Sequence, residues 1–166
     1  MKSDSELAAL TFPLAVETGL FGEPGLKPDS VQEKTYIAAM PLVKERAVYL
    51  TEIPEKISYL FSEPVPAPNE EFIPKKADLN TTLELLKTAK NIIISLVEAA
   101  NDEEAENIIK SFAEKEGLKL GDLMMPFRVA ITGARVSPPL FGSLWLLGKE
   151  KALARLERAI SALGSP

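Results

Sequence analysis

Two residue types are missing altogether: the 166 residues include no histidine and no cysteine. That excludes triads and dyads built on an imidazole or a thiolate, disulfides, and zinc sites that need nitrogen or sulfur ligands. Carboxylates, Lys, Tyr, Ser and Arg remain as catalytic material. The acidic groups Asp102/Glu103/Glu104 and Glu114/Glu116 are the first candidates. A carboxylate acting as a general acid needs a desolvated setting that raises its pKa, and both groups fall at helix ends or on a polar face. They read as solvated or dipole-complementing charges. A glycine-rich phosphate loop of either standard pattern is also missing, which argues against an intrinsic nucleotide site. The chain is expected to be non-catalytic, with no metal and no cofactor of its own.

Long apolar runs are absent too. The longest strongly apolar stretches, Ile92–Val97 and Phe141–Leu147, are far too short to span a bilayer. The first six residues, Met1 to Glu6, lack the apolar core of a signal peptide, and zero cysteine fits a reducing interior. A cytoplasmic chain with no membrane partner is expected.

What is present is ordinary for a globular domain: 46% apolar and 26% charged residues, in a chain long enough to bury a core. The net charge is −5, from 19 basic and 24 acidic side chains, which by itself argues against a nucleic-acid partner. The acidity is uneven, however. Residues 117–166 carry seven basic side chains against three acidic ones, leaving 12 against 21 in residues 1–116. Four of the five arginines lie in the basic third, and Arg46 stands alone. Such asymmetry is a hint that one part of the chain meets an anion, although a solvated helix face would look the same.

Proline divides the chain. Pro64, Pro66, Pro68 and Pro74 fall within Ser62–Asp78, where each ring removes a donor and restricts its predecessor. This stretch is expected to be a non-helical connector between an N-terminal helical subdomain (residues 1–61) and a C-terminal one (residues 79–166). The rest reads as helix. Ser30 with Glu33 suggests a capping box on a helix to about Ala39, and Pro41 kinks or restarts it so that a second piece carries Lys44, Arg46 and Tyr49. Pro54 suits the first turn of a short helix ending near Phe61. Asn80 or Thr81 would cap a long helix to about Ala99, with Leu85, Leu86, Ala89, Ile93, Leu96, Val97 and Ala100 on one face. Asn101–Glu104 loads acid onto a helix start, with Ile108, Ile109 and Phe112 as the buried face and Gly117 as the stop. Three further helices follow: one from about Leu120 to Gly133, one opened by Ser137-Pro138-Pro139 and closed by Gly148, and one from Lys149 to about Leu163 burying Leu153, Leu156, Ile160 and Leu163. No period-two alternation occurs, and the predicted fold class is all-α.

The densest unusual segment is Leu118–Gly148. The run Met125-Pro126-Phe127-Arg128-Val129-Ala130-Ile131-Thr132-Gly133, then Ser137-Pro138-Pro139-Leu140-Phe141, then Leu146-Leu147-Gly148-Lys149-Glu150, resembles the C-terminal anticodon-binding domain of bacterial glutamyl-tRNA synthetases. Upstream, Leu50-Thr51-Glu52-Ile53-Pro54-Glu55-Lys56, Tyr59-Leu60-Phe61 and Glu114–Gly121 are similar to the same family. The likeness runs from about Val31 to Leu163, apart from the proline-rich connector, and is weaker over Leu7–Gly22. A module of this kind needs neither His nor Cys.

The resemblance implies two helical subdomains forming an anticodon-binding cage. It implies glutamate tRNA as the partner, together with the catalytic domain of a parent synthetase, where ATP and glutamate would bind; this sequence has no counterpart of that domain's histidine-containing signature. It also implies site residues. The Lys44-Glu45-Arg46 motif matches the family's arginine that helps select cytosine at the third anticodon base, where glutamine tRNA has guanine, and the role falls on Arg46, with Lys44 as the register-shifted rival. A helix-surface salt bridge to the neighbours of Glu45 or to Glu33 is the structural alternative. Arg128, Ser137, Pro138 and Leu140 match the family's other base and backbone contacts. Arginine's rigid fork of donors suits base edges and phosphates, Ser137 would cap a helix start that favours an anion, and Pro138 and Leu140 would give a base an apolar surface. Arg135 is a candidate phosphate contact, while Lys149, Lys151, Arg155 and Arg158 are either that or a solvated face. Phe141 and Trp145 are expected in the core. The competing function is a helical protein-interaction module derived from the same domain; a monomer is expected either way.

Overall fold

The computed structural model describes residues 2–96 and 101–165. Among these residues there are nine α-helices and no strand. In chain order the helices are α1 Asp4–Glu17, α2 Ser30–Val43, α3 Ile53–Lys56, α4 Asn69–Phe72, α5 Leu79–Leu96, α6 Asp102–Lys115, α7 Leu120–Thr132, α8 Leu140–Leu147 and α9 Lys149–Gly164. The all-α expectation holds. The chain forms two compact units, Met1–Pro64 with Pro138–Leu146, and Val65–Ser137 with Leu147–Pro166. Residues 138–146, expected in the C-terminal subdomain, therefore belong with the N-terminal unit.

In the first unit α1 opens on a capping box: Ser3 Oγ accepts the Glu6 amide and the Glu6 carboxylate accepts the Ser3 amide. Those bonds hold the Glu6 carboxyl below its ordinary range. The box on α2 is Asp29 with Gln32, one residue ahead of the expected Ser30 and Glu33; the Asp29 carboxylate takes the Val31 and Gln32 amides, and the Gln32 carboxamide takes that of Asp29. A carboxylate at the cap complements the helix dipole better than a hydroxyl. Nor does Pro41 end the helix, which runs on to Val43. Pro41 is exposed, so water can serve the carbonyl left without its amide.

Tyr36, Ala39, Met40 and Val43 form the buried face of α2. Tyr36 lies in an aromatic cluster with Phe12, Phe21 and Phe61, ring centroids 5.3 to 6.4 Å apart. Its hydroxyl is 2.6 Å from Thr11 Oγ1. Thr11 has one proton and gives it to the Leu7 carbonyl at 2.9 Å, so Tyr36 is the donor between them. The stretch around Pro54 is three short turns, Leu50–Glu52, Ile53–Lys56 and Ser58–Leu60, where a single helix was expected. Ile57 and Tyr59 are both buried, and an α-helix cannot place residues two apart on one face. Helix α8 is held in this unit by Tyr59, whose hydroxyl is 2.6 Å from Ser143 Oγ. Ser143 spends its proton on the Pro139 carbonyl, so here too the tyrosine donates. Gly142 meets Leu42 so closely that a Cβ there would overlap Leu42 Cδ2.

In the second unit α5 packs against α6, α7 and α9. Its cap is Asp78, ahead of the expected Asn80 or Thr81: the Asp78 carboxylate accepts the Thr81 amide at 2.7 Å, and this bond lowers its pKa. Leu85, Leu86, Ala89, Ile93 and Leu96 are buried as expected, joined by Ile92; Val97, Ala99 and Ala100 lie outside the described residues. Helix α6 is capped by Asn101, which accepts the Glu104 amide. Its buried stripe is Ala105, Ile109 and Ala113, with Ile108 and Phe112 half-buried beside it. Helix α9 likewise buries Ala152, Arg155, Leu156, Ala159 and Leu163 and leaves Leu153 and Ile160 half-covered. In both helices the small alanines face inward, which lets the backbones approach.

The proline-rich connector is not wholly irregular. Four residues between Pro68 and Pro74 form α4, and its Phe72 is buried where α4 packs on α7. Pro68 occupies the cap position, where a missing donor costs nothing.

Candidate nucleic-acid interface

Arg128 lies in the penultimate turn of α7, and three carbonyls near that helix end have visible partners. Gly133 ends the helix at φ 81°, a left-handed conformation open to glycine, and donates to the Val129 carbonyl. Thr132 Oγ1 donates to the Arg128 carbonyl at 2.9 Å. Arg155 Nη1 donates to the Ile131 carbonyl at 2.6 Å. The chain then turns, and the half-buried Arg128 donates from Nη1 to Ser137 Oγ at 2.8 Å. Two residues expected at the site are thus brought into direct contact in the second unit.

Ser137 lies two residues ahead of the cap position of α8. The Ser143 amide goes to the Pro139 carbonyl, which makes Pro139 the cap position of a helix whose first residue is Leu140. Ser137 and Pro138 each precede a proline and are steered into extended backbone, so the helix can begin only after them.

Arg135 is committed to its own chain. Nε donates to the Glu71 carbonyl at 3.0 Å, Nη2 to the Glu70 carbonyl at 2.6 Å, and the guanidinium pairs with the Glu71 carboxylate at 3.3 Å. It closes the C-terminal end of α4, where a cation meets the negative end of the helix. Arg155 is no solvated-face residue either: it is 2% exposed. Lys149, Lys151 and Arg158 are exposed.

In the first unit Lys44 ends α2 and pairs with Asp4 at 2.9 Å, tying α2 to the start of α1. The expected second helical piece does not form. The Arg46 and Ala47 amides both go to the Val43 carbonyl, the Val48 amide goes to the Glu52 carboxylate, and Tyr49 is extended at φ −120°, ψ 145°. Arg46 is exposed on this turn. Pro138 and Leu140 are buried, so neither offers a base the apolar surface expected of it; they anchor the start of α8.

Trp145, expected in the core, is 43% exposed. Tyr49, expected on a second helical piece, is extended and 68% exposed. The signal for Trp145 was available. Leu140, Leu144 and Leu147 recur at helical spacing and define the inward face of α8, and a residue five after Leu140 points elsewhere. Phe141, also expected in the core, is half-buried.

A cleft of about 490 Å³ in the first unit is lined by residues that include Thr18, Phe21, Thr51, Glu55, Ser58 and Phe61; none of the expected site residues borders it. Among the described residues no group of three or more acidic side chains is placed to hold a metal, and no helix is long and apolar enough to cross a membrane.

Comparison with known proteins bears on the whole chain. Residues 6–160 match the family described as the anticodon binding domain. The sequence is 40% identical over 96% of its length to a glutamate–tRNA ligase of Treponema denticola, and 39% identical over 92% to one of Roseiflexus castenholzii. It spans 35% and 29% of those two relatives, about a third of their length. The fold is similar to that of a glutamate–tRNA ligase crystal structure from Elizabethkingia meningosepticum, with a TM-score of 0.74 at 22% identity, covering 98% of this chain and 30% of that one.

Proposed function

The chain belongs to the anticodon binding domain family of glutamate–tRNA ligases, and from that premise we propose that it reads the anticodon of a glutamate tRNA within such a ligase. The observation that carries this is the match over residues 6–160, which includes the turn where Arg128 meets Ser137. Anticodon bases can be unstacked and presented edge-on. Recognising them takes planar donors, which arginine provides. In this reading phosphate contacts position the RNA and base contacts specify it.

Arg46 is the residue we assign to the third anticodon base. It is exposed on a turn whose amides are held, whereas its rival Lys44 is half-buried against the start of α1. Arg128, oriented by Ser137, is the second contact. Arg135, bound to the α4 carbonyls, is left out of the contact set. The chain itself is non-catalytic and carries no cofactor; ATP and glutamate bind in the parent ligase's catalytic domain. It works as a monomer in the cytoplasm.

The test is a salt titration of the chain with glutamate and glutamine tRNAs. Affinity should fall as salt rises, because bound cations are released from the RNA. Arg46→Gln should narrow the preference for cytosine over guanine at the third base. An unchanged preference would remove Arg46 from the site, and salt-independent binding would overturn the RNA reading.

A further inference from the structure

Of the three tyrosines, two are core residues with satisfied hydroxyls: Tyr36, fully buried and bonded to Thr11, and Tyr59, 5% exposed and bonded to Ser143. Tyr49 is different. It is 68% exposed and lies between Val48 at 79% and Leu50 at 42%. Exposed apolar side chains are common singly. Three in a row on a loop, with an aromatic ring in the middle, call for an explanation.

This loop is not slack. Glu52 grips it twice: its carboxylate accepts the Val48 amide at 3.1 Å, and its own amide donates to the Tyr49 carbonyl at 3.1 Å. Lys56 pairs with the same carboxylate at 3.9 Å. The ring is therefore displayed from a fixed backbone, which spares part of the ordering cost that a floppy loop would meet on binding. Three residues earlier stands the exposed Arg46. Three residues of chain span at most about 11 Å, so one nucleotide and its neighbour can lie over both side chains.

We propose that Tyr49 is a stacking platform for an unpaired RNA base, next to the nucleotide that Arg46 engages. An exposed flat π-face beside a cation is what single-stranded nucleic acid requires, since every base offers a face and every nucleotide a negative charge. The inference rests on the RNA reading above and adds a residue that the resemblance does not supply. Arg46 and Tyr49 then divide the work: the guanidinium reads an edge or a phosphate, and the ring holds a face.

The experiment uses the 166-residue chain and an RNA hairpin carrying the glutamate-tRNA anticodon arm. Parent, Tyr49→Ala, Tyr49→Phe and Arg46→Gln are titrated at several salt concentrations, with far-UV circular dichroism reporting the fold. Loss of one stacked base should weaken binding about five- to 150-fold. The dependence of log affinity on log salt should not change, because the ring is uncharged. Tyr49→Phe should bind like the parent, and Arg46→Gln should flatten the salt dependence. If Tyr49→Ala binds as tightly as the parent, the platform is wrong while the RNA reading stands; the exposed run then serves another partner. If Tyr49→Phe is weakened as much as Tyr49→Ala, the hydroxyl or the loop matters and not the stacking face, which also overturns it. If the parent does not bind the hairpin, the RNA reading fails and takes the platform with it.

Discussion

Arg128 and Ser137 stand nine residues apart, and the guanidinium of one donates to the hydroxyl of the other at 2.8 Å across the turn that closes α7. A long side chain that would otherwise sample many rotamers is thereby aimed. Arginine carries about 2 kcal/mol of rotamer entropy, and part of that cost has been met before any ligand arrives.

From this pair comes a prediction about non-additivity. Ser137→Ala keeps the charge of Arg128 and loses only its aim. RNA affinity should fall by about fivefold, near 1 kcal/mol, with the salt dependence unchanged. Arg128→Ala should cost more and should lower the slope of log affinity against log salt by roughly 0.7 to 1. If Ser137 acts through Arg128, the double variant should be no weaker than Arg128→Ala alone. Losses that simply add would mean the two residues act independently.

How much of this could be read from the sequence depends on how local the cause was. The fold class, the stop at Gly133 and the acid at the start of α6 follow from periodicity and turn chemistry within a few residues. The errors were of two kinds. At helix starts the right motif was found one to three residues late, at Ser30 for Asp29 and at Asn80 for Asp78, because several capping side chains compete in one short window. Side chains whose partners are distant in sequence were not legible at all. Nothing local says that Arg135 closes α4 more than sixty residues away, or that Arg155 is buried against Ile131.

The site was legible only in part, for the same reason. Arg128 and Ser137 came from one contiguous motif and meet in space. Pro138 and Leu140 came from that motif too and are buried, since an apolar residue beside a functional one is equally good at packing. Tyr49 was assigned to a helix. Only the end of α2 at Val43, with no second helical piece after it, and the grip of Glu52 on the loop turn its ring outward.

Arg155 supplies a second prediction, about stability. It is 2% exposed and donates at 2.6 Å to the Ile131 carbonyl in the last turn of α7. Arg155→Ala should orphan that carbonyl and leave a void, costing about 2–4 kcal/mol, read as a lower urea midpoint. Arg155→Lys should recover only part of the loss, because a single ammonium on a flexible stem does not reproduce the fixed fork. A change in the Ala variant within about 0.5 kcal/mol would place Arg155 with ordinary surface residues and remove it from the account of how α7 ends.

The third prediction concerns alkaline pH and turns on the buried Tyr36. Burial pushes its phenol above the ordinary value near 10. The folded state thus holds the proton more tightly than the unfolded chain does. Stability from this source is complete below about pH 10 and is lost as pH rises from there through the higher folded value, by up to about 1.4 kcal/mol per pH unit for one proton. Tyr36→Phe removes the group. At pH 7 it should cost about 0.5–1.5 kcal/mol, because Thr11 Oγ1 loses the donor it accepts from but still donates to Leu7. The other ionisable groups are the same in both proteins, so their effect cancels in the difference between them. Urea unfolding from pH 7 to 11 should therefore show the gap between parent and variant constant up to about pH 10 and closing above it. A gap that stays constant to pH 11 would mean that the Tyr36 phenol ionises no differently in the folded and unfolded chains.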